Sequence, residues 1–205
     1  IGGQINRHGG YVRNIVGRRM NNAHNEAVRA SLLLTPSEAF TNTTVVNYSN
    51  SNETGPATRS RFVGPVATTL FPAFVAANVA NNRRPFWTVA NNIDAYNRIK
   101  SALVSNITEL DLGSVTLKNV FGYRRVKSDI SVDLDGTELQ VYNARNIIGS
   151  KQWSNEFQVI GDAFDGHLDY IIGAFWFRET ASEDDISYRA AGTNPRSVGR
   201  PIVRI

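Results

Sequence analysis

The segment QWSNEFQVIGDAFDGHLDYIIGAFWF, Gln152 to Phe177, alternates apolar and polar side chains with a period of two. Trp153, Phe157 and Val159 are interleaved with Ser154, Glu156 and Gln158. Past a Gly-containing stretch, Leu168, Tyr170, Ile172, Ala174 and Trp176 recur at every second position. Successive side chains of a strand point to opposite faces, so this period commits the segment to a hairpin with one apolar face. Either a second sheet or lipid has to cover that face.

The same period recurs upstream. Val28, Ala30, Leu32 and Leu34 share one phase, with Arg29 and Ser31 on the other. Phe40, Thr44, Val46 and Tyr48 share one phase of the next segment. Val115, Leu117, Phe121 and Tyr123 do so in VTLKNVFGYRR, against Thr116, Lys118 and Arg124. The Gly-rich Ile1–Asn14 reads as a first strand bent near Gly9-Gly10, and Ala102–Leu110 as a strand of ambiguous phase. Near Val126 the apolar positions switch to Ile130, Val132 and Leu134, which predicts a bulge. Two helical pieces are expected in the long excursion 51–98: Ala73–Ala80, and Ile93–Leu103, where Ile93, Tyr96, Ile99 and Leu103 fit a 3.6 period. From Thr180 the chain reads as polar loop. The fold expected is all-β: an antiparallel up-and-down meander of about seven strands with short helical pieces in one long loop.

The connections sort by length. Thr35–Ala39, Asp111–Ser114 and Gly161–His167 are tight turns, while Gly17–Asn25, Ser51–Arg98, Asp135–Ser150 and the stretch after Thr180 are longer. In a meander every second connection lies at the same end, so one end would carry only turns and the other only loops. Transmembrane barrels are built this way, whereas a β-sandwich gives no reason for it. A partial transmembrane β-barrel is therefore the favoured reading, and a soluble or secreted β-sandwich that binds a ligand is the alternative. A porin-type or autotransporter-type barrel without a plug is a third, weaker reading.

Composition removes several other classes. There are no cysteines, hence no disulfide, thiolate ligand or thiol nucleophile. No apolar run approaches the length of a membrane helix, although barrel strands need only about 9–11 residues each. The net charge of +4 comes from basic residues scattered singly or in pairs such as Arg18-Arg19, Arg83-Arg84 and Arg124-Arg125, so nucleic acid is not expected as a partner. His8, His24 and His167 lack metal-ligand spacing and read as solvated loop residues. Glu183-Asp184-Asp185 reads as a charged loop without calcium-loop spacing. No Gly-x-Ser-x-Gly is present, and no enzyme activity, metal or cofactor is expected. The chain starts at Ile1 within strand-like sequence and its one Met is Met20, so a piece of a longer protein is expected.

Three segments, in order, carry a resemblance. HGGYVRNIVGRRMNNAHNEAVRASLLLTPSEAFTNTTVVNYSN, LGSVTLKNVFGYRRV and QWSNEFQVIGDAFDGHLDYIIGAFWFRE resemble the early barrel strands of TonB-dependent outer-membrane receptors, over about Ile1–Glu179. The resemblance implies one barrel-wall domain over 1–205 with an external loop at about 51–98; the chain departs from the family in that the N-terminal plug domain and TonB-contacting box of such receptors are not found in this sequence. A whole barrel of this kind has about 22 strands, so this piece could not close by itself. The implied function is active uptake of a nutrient such as a siderophore, vitamin or carbohydrate. The implied partners are outer-membrane lipid, the plug and remaining strands, the TonB complex and the nutrient, in the outer membrane of a Gram-negative bacterium.

On this reading Phe40, Tyr48, Phe121, Tyr123, Trp153, Phe157, Tyr170 and Trp176 face lipid or form interfacial girdles. Arg29, Lys118, Arg124, Glu156, Gln158 and Asp169 face the lumen. Arg83, Arg84, Trp87 and Tyr96 in the long loop are candidates for capturing substrate.

Overall fold

The computed structural model describes residues 1–189. One antiparallel sheet dominates it. Its strands are β1 (Gly2–His8), β3 (Ala23–Ser37), β4 (Phe40–Thr54), β6 (Tyr96–Asp111), β7 (Val115–Asp133), β8 (Tyr142–Ala163) and β9 (Leu168–Arg189), paired in that order. A second, parallel sheet pairs β2 (Arg13–Asn14) with β5 (Thr88–Val89). Helices α1 (Pro65–Leu70) and α2 (Pro72–Asn82) lie between β4 and β5. The large sheet is a seven-strand meander that does not close into a barrel, and β1 and β9 are its edges. Among the described residues no second sheet lies over either face, unlike a sandwich.

The tight turns are shorter than the sequence suggests because the strands run further. β8 extends to Ala163, leaving Phe164–His167 as the turn, with Phe164, Asp165 and Gly166 all at positive φ. At the β6–β7 turn the Asp111 carboxylate accepts the Gly113 N–H at 2.8 Å, and Gly113 sits at φ 91, where glycine costs least. All of these turns lie at one end, and the connections 9–22, 55–95 and 134–141 lie at the other.

Several expectations fail, among them the loop expected over Asp135–Ser150, which is strand from Tyr142 onward. Ile93–Leu103 is not helical: from Tyr96 onward it is β6, hydrogen-bonded to β4 on one side and β7 on the other. Two ladders outweigh a weak 3.6 period, since isolated short helices are marginal. No bulge occurs at Val126, because β7 pairs without a register break with both neighbours. The apolar residues change face there while the backbone stays in register. The stretch after Thr180 is not loop: β9 continues to Arg189 against β8, and 190–205 lies outside the described residues. The first strand ends at His8, and Arg13–Asn14 belongs to the small parallel sheet. Ala73–Ala80 does fall inside a helix, α2, which Pro72 opens.

The buried apolar residues are not in the large sheet's middle but at its looped end. Val12, Met20, Val89 and Ala95 form the core cluster, with Ala77, Ala90 and Ala23 also buried. Asparagines rivet this cap. Asn91 donates to the Thr58 carbonyl (3.0 Å) and accepts the Thr58 N–H (3.1 Å). Asn14 donates to the Asn91 carbonyl and accepts its N–H. Asn81 accepts the Ala90 N–H and donates to the Gly136 carbonyl. Each amide has a donor and an acceptor, so one buried side chain satisfies two backbone groups that no ladder reaches.

Asp133 ends β7 inside this cap. It is fully buried and accepts the N–H groups of Gly136 (2.7 Å) and Asn92 (3.2 Å). Burial pushes its carboxyl up to about 6, against those N–H groups, which lower it. The folded state therefore binds more protons than the unfolded chain between about pH 4 and that value. Cap stability should fall as pH rises through this window, and Asp133→Asn should flatten the dependence. Amide-exchange protection of Asn92 and Gly136 across pH measures it, and protection that rises with pH would contradict it.

Candidate functional site

Cross-strand partners share a face, so the register assigns every side chain of the sheet. One face carries Phe40, Tyr48, Phe121, Tyr123, Trp153, Phe157, Tyr170 and Trp176 together. The other carries Arg29, Lys118, Arg124, Glu156, Gln158 and Asp169 together. The two sets read from separate strands thus fall into two phases of one continuous sheet.

The first face is free of charge over the turn-side half of β3–β9. Its partnered rows run from Ala163/Leu168 and Tyr170, through Phe40/Leu110/Leu117/Val159/Ile172, to Ala30/Val46/Val104/Tyr123/Trp153. The first charge met is Arg178, the partner of Trp153 on the edge strand. From Trp153 to Ala163 is eleven residues, which at about 3.3 Å each and a tilt near 45° would rise about 25 Å. Tyr123 and Trp153 lie ring to ring at 4.2 Å at the upper limit of this band. At its lower end Tyr170 lies over Gly161, where an added Cβ would meet the Tyr170 hydroxyl at 2.7 Å. The large side chains here stay open: Ile172 is 66% exposed and Trp176 53%.

Over the same height the opposite face is charged. It holds the partners Asp162 and Asp169, the Glu109–Lys118 ion pair at 2.7 Å, Glu156, Arg29 and Arg124. Ile107, Val120, Phe175 and Phe177 share it, so it is mixed and not uniformly polar.

Inside the charge-free band sits a polar ladder that sequence reading missed. Asn42 donates to the Asn106 side-chain carbonyl (3.1 Å) and to Thr108 (2.7 Å), and Asn106 donates to Asn42 (3.1 Å) and Thr44 (2.7 Å). On the next strands Asn119 donates to Asn155 at 3.0 Å. These amides satisfy one another, which is the condition for polar groups where no water is available. The alternation Asn42-x-Thr44 and Asn106-x-Thr108 is the signal, but it pays off only once the two strands are known to pair.

The loop candidates separate. Arg83 is exposed and caps α2, its N–H donating to Val79 and Ala80. Arg84 is half-buried. Trp87 is 56% exposed and packs edge-on against Phe86 at 4.7 Å and Tyr11 at 5.3 Å, a cluster that Tyr11 joins from far away in sequence. Tyr96 is not with them. It lies on β6, donates to Asp129 at 3.0 Å and takes Arg98 over its ring at 4.3 Å. Arg145 clamps Asp129 bidentately at 2.8 and 2.7 Å and holds that carboxyl below its usual range. His8 and His24 are strand residues, not loop residues, and Glu183-Asp184-Asp185 lies on β9, where Glu183 and Asp185 accept from Asn146.

No protein-family model, curated protein or solved structure matches the chain.

The polar ladder makes a prediction. Replacing Asn106 alone by Val strands the groups of Asn42 and Thr44 and should cost about 1–3 kcal/mol. Replacing Asn42 and Asn106 together should cost clearly less than the two single changes summed. Additive losses in equilibrium unfolding of the full-length protein would contradict the network.

Proposed function

We propose that the chain is part of the barrel wall of an outer-membrane active-transport receptor of the TonB-dependent kind. The observation that carries this reading is the charge segregation. One face of an uncovered sheet has no charge over a height of about one bilayer core, and the other is charged at the same height. The sorting of turns and loops to opposite ends supports it, as does the resemblance of the three ordered segments. On this reading the charge-free face meets lipid, and Trp153, Tyr123 and Tyr48 mark the outer interface. Glu156, Gln158, Lys118 and Asp169 face the lumen and plug. The tight turns are periplasmic and the cap is extracellular.

The transport cycle is the one that the resemblance implies. A nutrient binds the outer loops and plug, energy arrives through the TonB complex, and the plug rearranges to let the nutrient through. In this cycle the exposed Tyr11, Phe86 and Trp87 cluster, with Arg83 beside it in sequence, belongs to the capture surface, and Tyr96 is a strand-bracing residue. Lumen charges on neighbouring strands keep a water-filled interior polar at little cost, whereas the same charges turned to lipid would cost about 2–4 kcal/mol each for Arg or Lys at the midplane.

Spin labels at Phe157 and Glu156 in the full-length membrane protein test this. Phe157 should be relaxed by oxygen dissolved in the bilayer, and Glu156 by a water-soluble nickel chelate. The reverse pattern would turn the sheet inside out, and water access at both positions would favour a soluble ligand-binding module.

A further inference from the structure

We propose that the upper margin of the charge-free face is a binding belt for the phosphorylated headgroups of membrane lipid. This rests on the reading that the face below it meets lipid. Directly above the Tyr123/Trp153 row, the register brings Tyr48, Ala102, Arg125, Lys151 and Thr180 into line. The row above that holds Lys100 and Lys127, and Arg178 stands one row below. Lys100, Arg125, Lys127, Lys151 and Arg178 therefore occupy three adjacent rows on β6–β9. At about 4.8 Å between strands and 6.6 Å between rows, the patch is about 15 Å across.

All five cations are exposed, and among the described residues none of them makes an ion pair. The carboxylates on this face around the patch are Glu26, engaged by Arg7 and His24, Asp129, engaged by Arg145, and Asp184 one row above Ser182 on the edge strand. The opposite face at these rows on β6–β9 has Arg124 with Glu179 and otherwise neutral side chains such as Ser101, Val126 and Ser150. The net positive charge over these rows of β6–β9 thus lies on one face, with Arg98 one row above Lys100 set opposite Asp129. A shallow groove of about 260 Å³ lies between Tyr48, Lys100, Arg125 and Lys127. A second, of about 190 Å³, runs between Lys127, Lys151 and Thr180.

Five unpaired cations in one place repel one another, so an anionic occupant is the natural complement. Their position selects its class. They begin where the apolar band ends, beside the aromatic pair that suits a headgroup layer. A ligand with an acyl chain on Val104, Tyr123 and Trp153 and a phosphate on Arg125, Lys127 and Lys151 satisfies both regions at once. Arg125 can hold such a phosphate by two parallel N–H bonds, and the lysines act as point charges.

The test uses the full-length protein in phosphatidylcholine bilayers, with a bimane fluorophore on Thr180→Cys. Doxyl-labelled phosphatidylglycerol or phosphatidylcholine, labelled near the headgroup, serves as quencher. The anionic lipid should be preferred roughly fivefold per engaged cation at low salt, and the preference should fall as salt is added. It should collapse in the combined variant Arg125→Gln, Lys127→Gln, Lys151→Gln. An unchanged preference in that variant, or no preference in the native protein while phosphatidylcholine still quenches, would overturn the belt and leave the lipid-facing reading standing. Loss of the preference on adding millimolar inorganic phosphate at constant ionic strength would assign the patch to a soluble anion and also overturn it. Quenching by neither lipid would remove the underlying reading and the belt with it.

Discussion

The backbone ladder holds this structure together, and side-chain burial contributes little to the sheet itself. The strands of the large sheet pair in unbroken register over most of their length, up to the full span of β8 against β9. The buried apolar residues lie instead in the cap and beside it. A sheet of this width in water would need one face covered, because hydrogen bonds contribute modestly next to apolar burial. Large side chains such as Ile172, Trp176, Leu32 and Phe157 remain open on the charge-free face. That unmet demand is the physical ground for giving the face a lipid environment.

The cap solves a different problem. Its chain makes few ladders, so its backbone groups need other partners, and Asn14, Asn78, Asn81 and Asn91 supply them while themselves buried. Asp135 does the same for the β7–β8 connection, accepting from Thr137, Val141 and Tyr142. Between cap and band, polar pairs such as Arg145–Asp129 brace the strands. From turns to cap, the sheet passes through three environments: a charge-free band, a cationic margin and a hydrogen-bonded crown.

Much of this was legible in the sequence. Alternation fixed the phase of β3, β4, β7, β8 and β9 near their turns, because a one-residue slip would exchange the faces. What escaped is long-range. Asn14 meets Asn91, and Asn42 meets Asn106, through pairings that no local period encodes. Ile93–Leu103 looked helical because Tyr96 and Ile99 lie on opposite faces of one strand, an arrangement that a 3.6 period imitates. The polar end of β9 looked like loop because its acids gain their partner, Asn146, only through pairing with β8. The cationic margin was hidden for the same reason: Lys100, Arg125, Lys127 and Lys151 are scattered in sequence and adjacent only across strands.

The most direct measurement of the central claim is an arginine scan along β7, from Lys118 to Tyr123, in the full-length protein, read as unfolding free energy in a bilayer. The account predicts a period of two. Arginine at Asn119 and Phe121 should cost about 2–4 kcal/mol, and at Lys118 and Val120 clearly less, since only the first pair would face hydrocarbon. Equal costs at all positions, or the opposite phase, would contradict the assignment of the charge-free face to lipid.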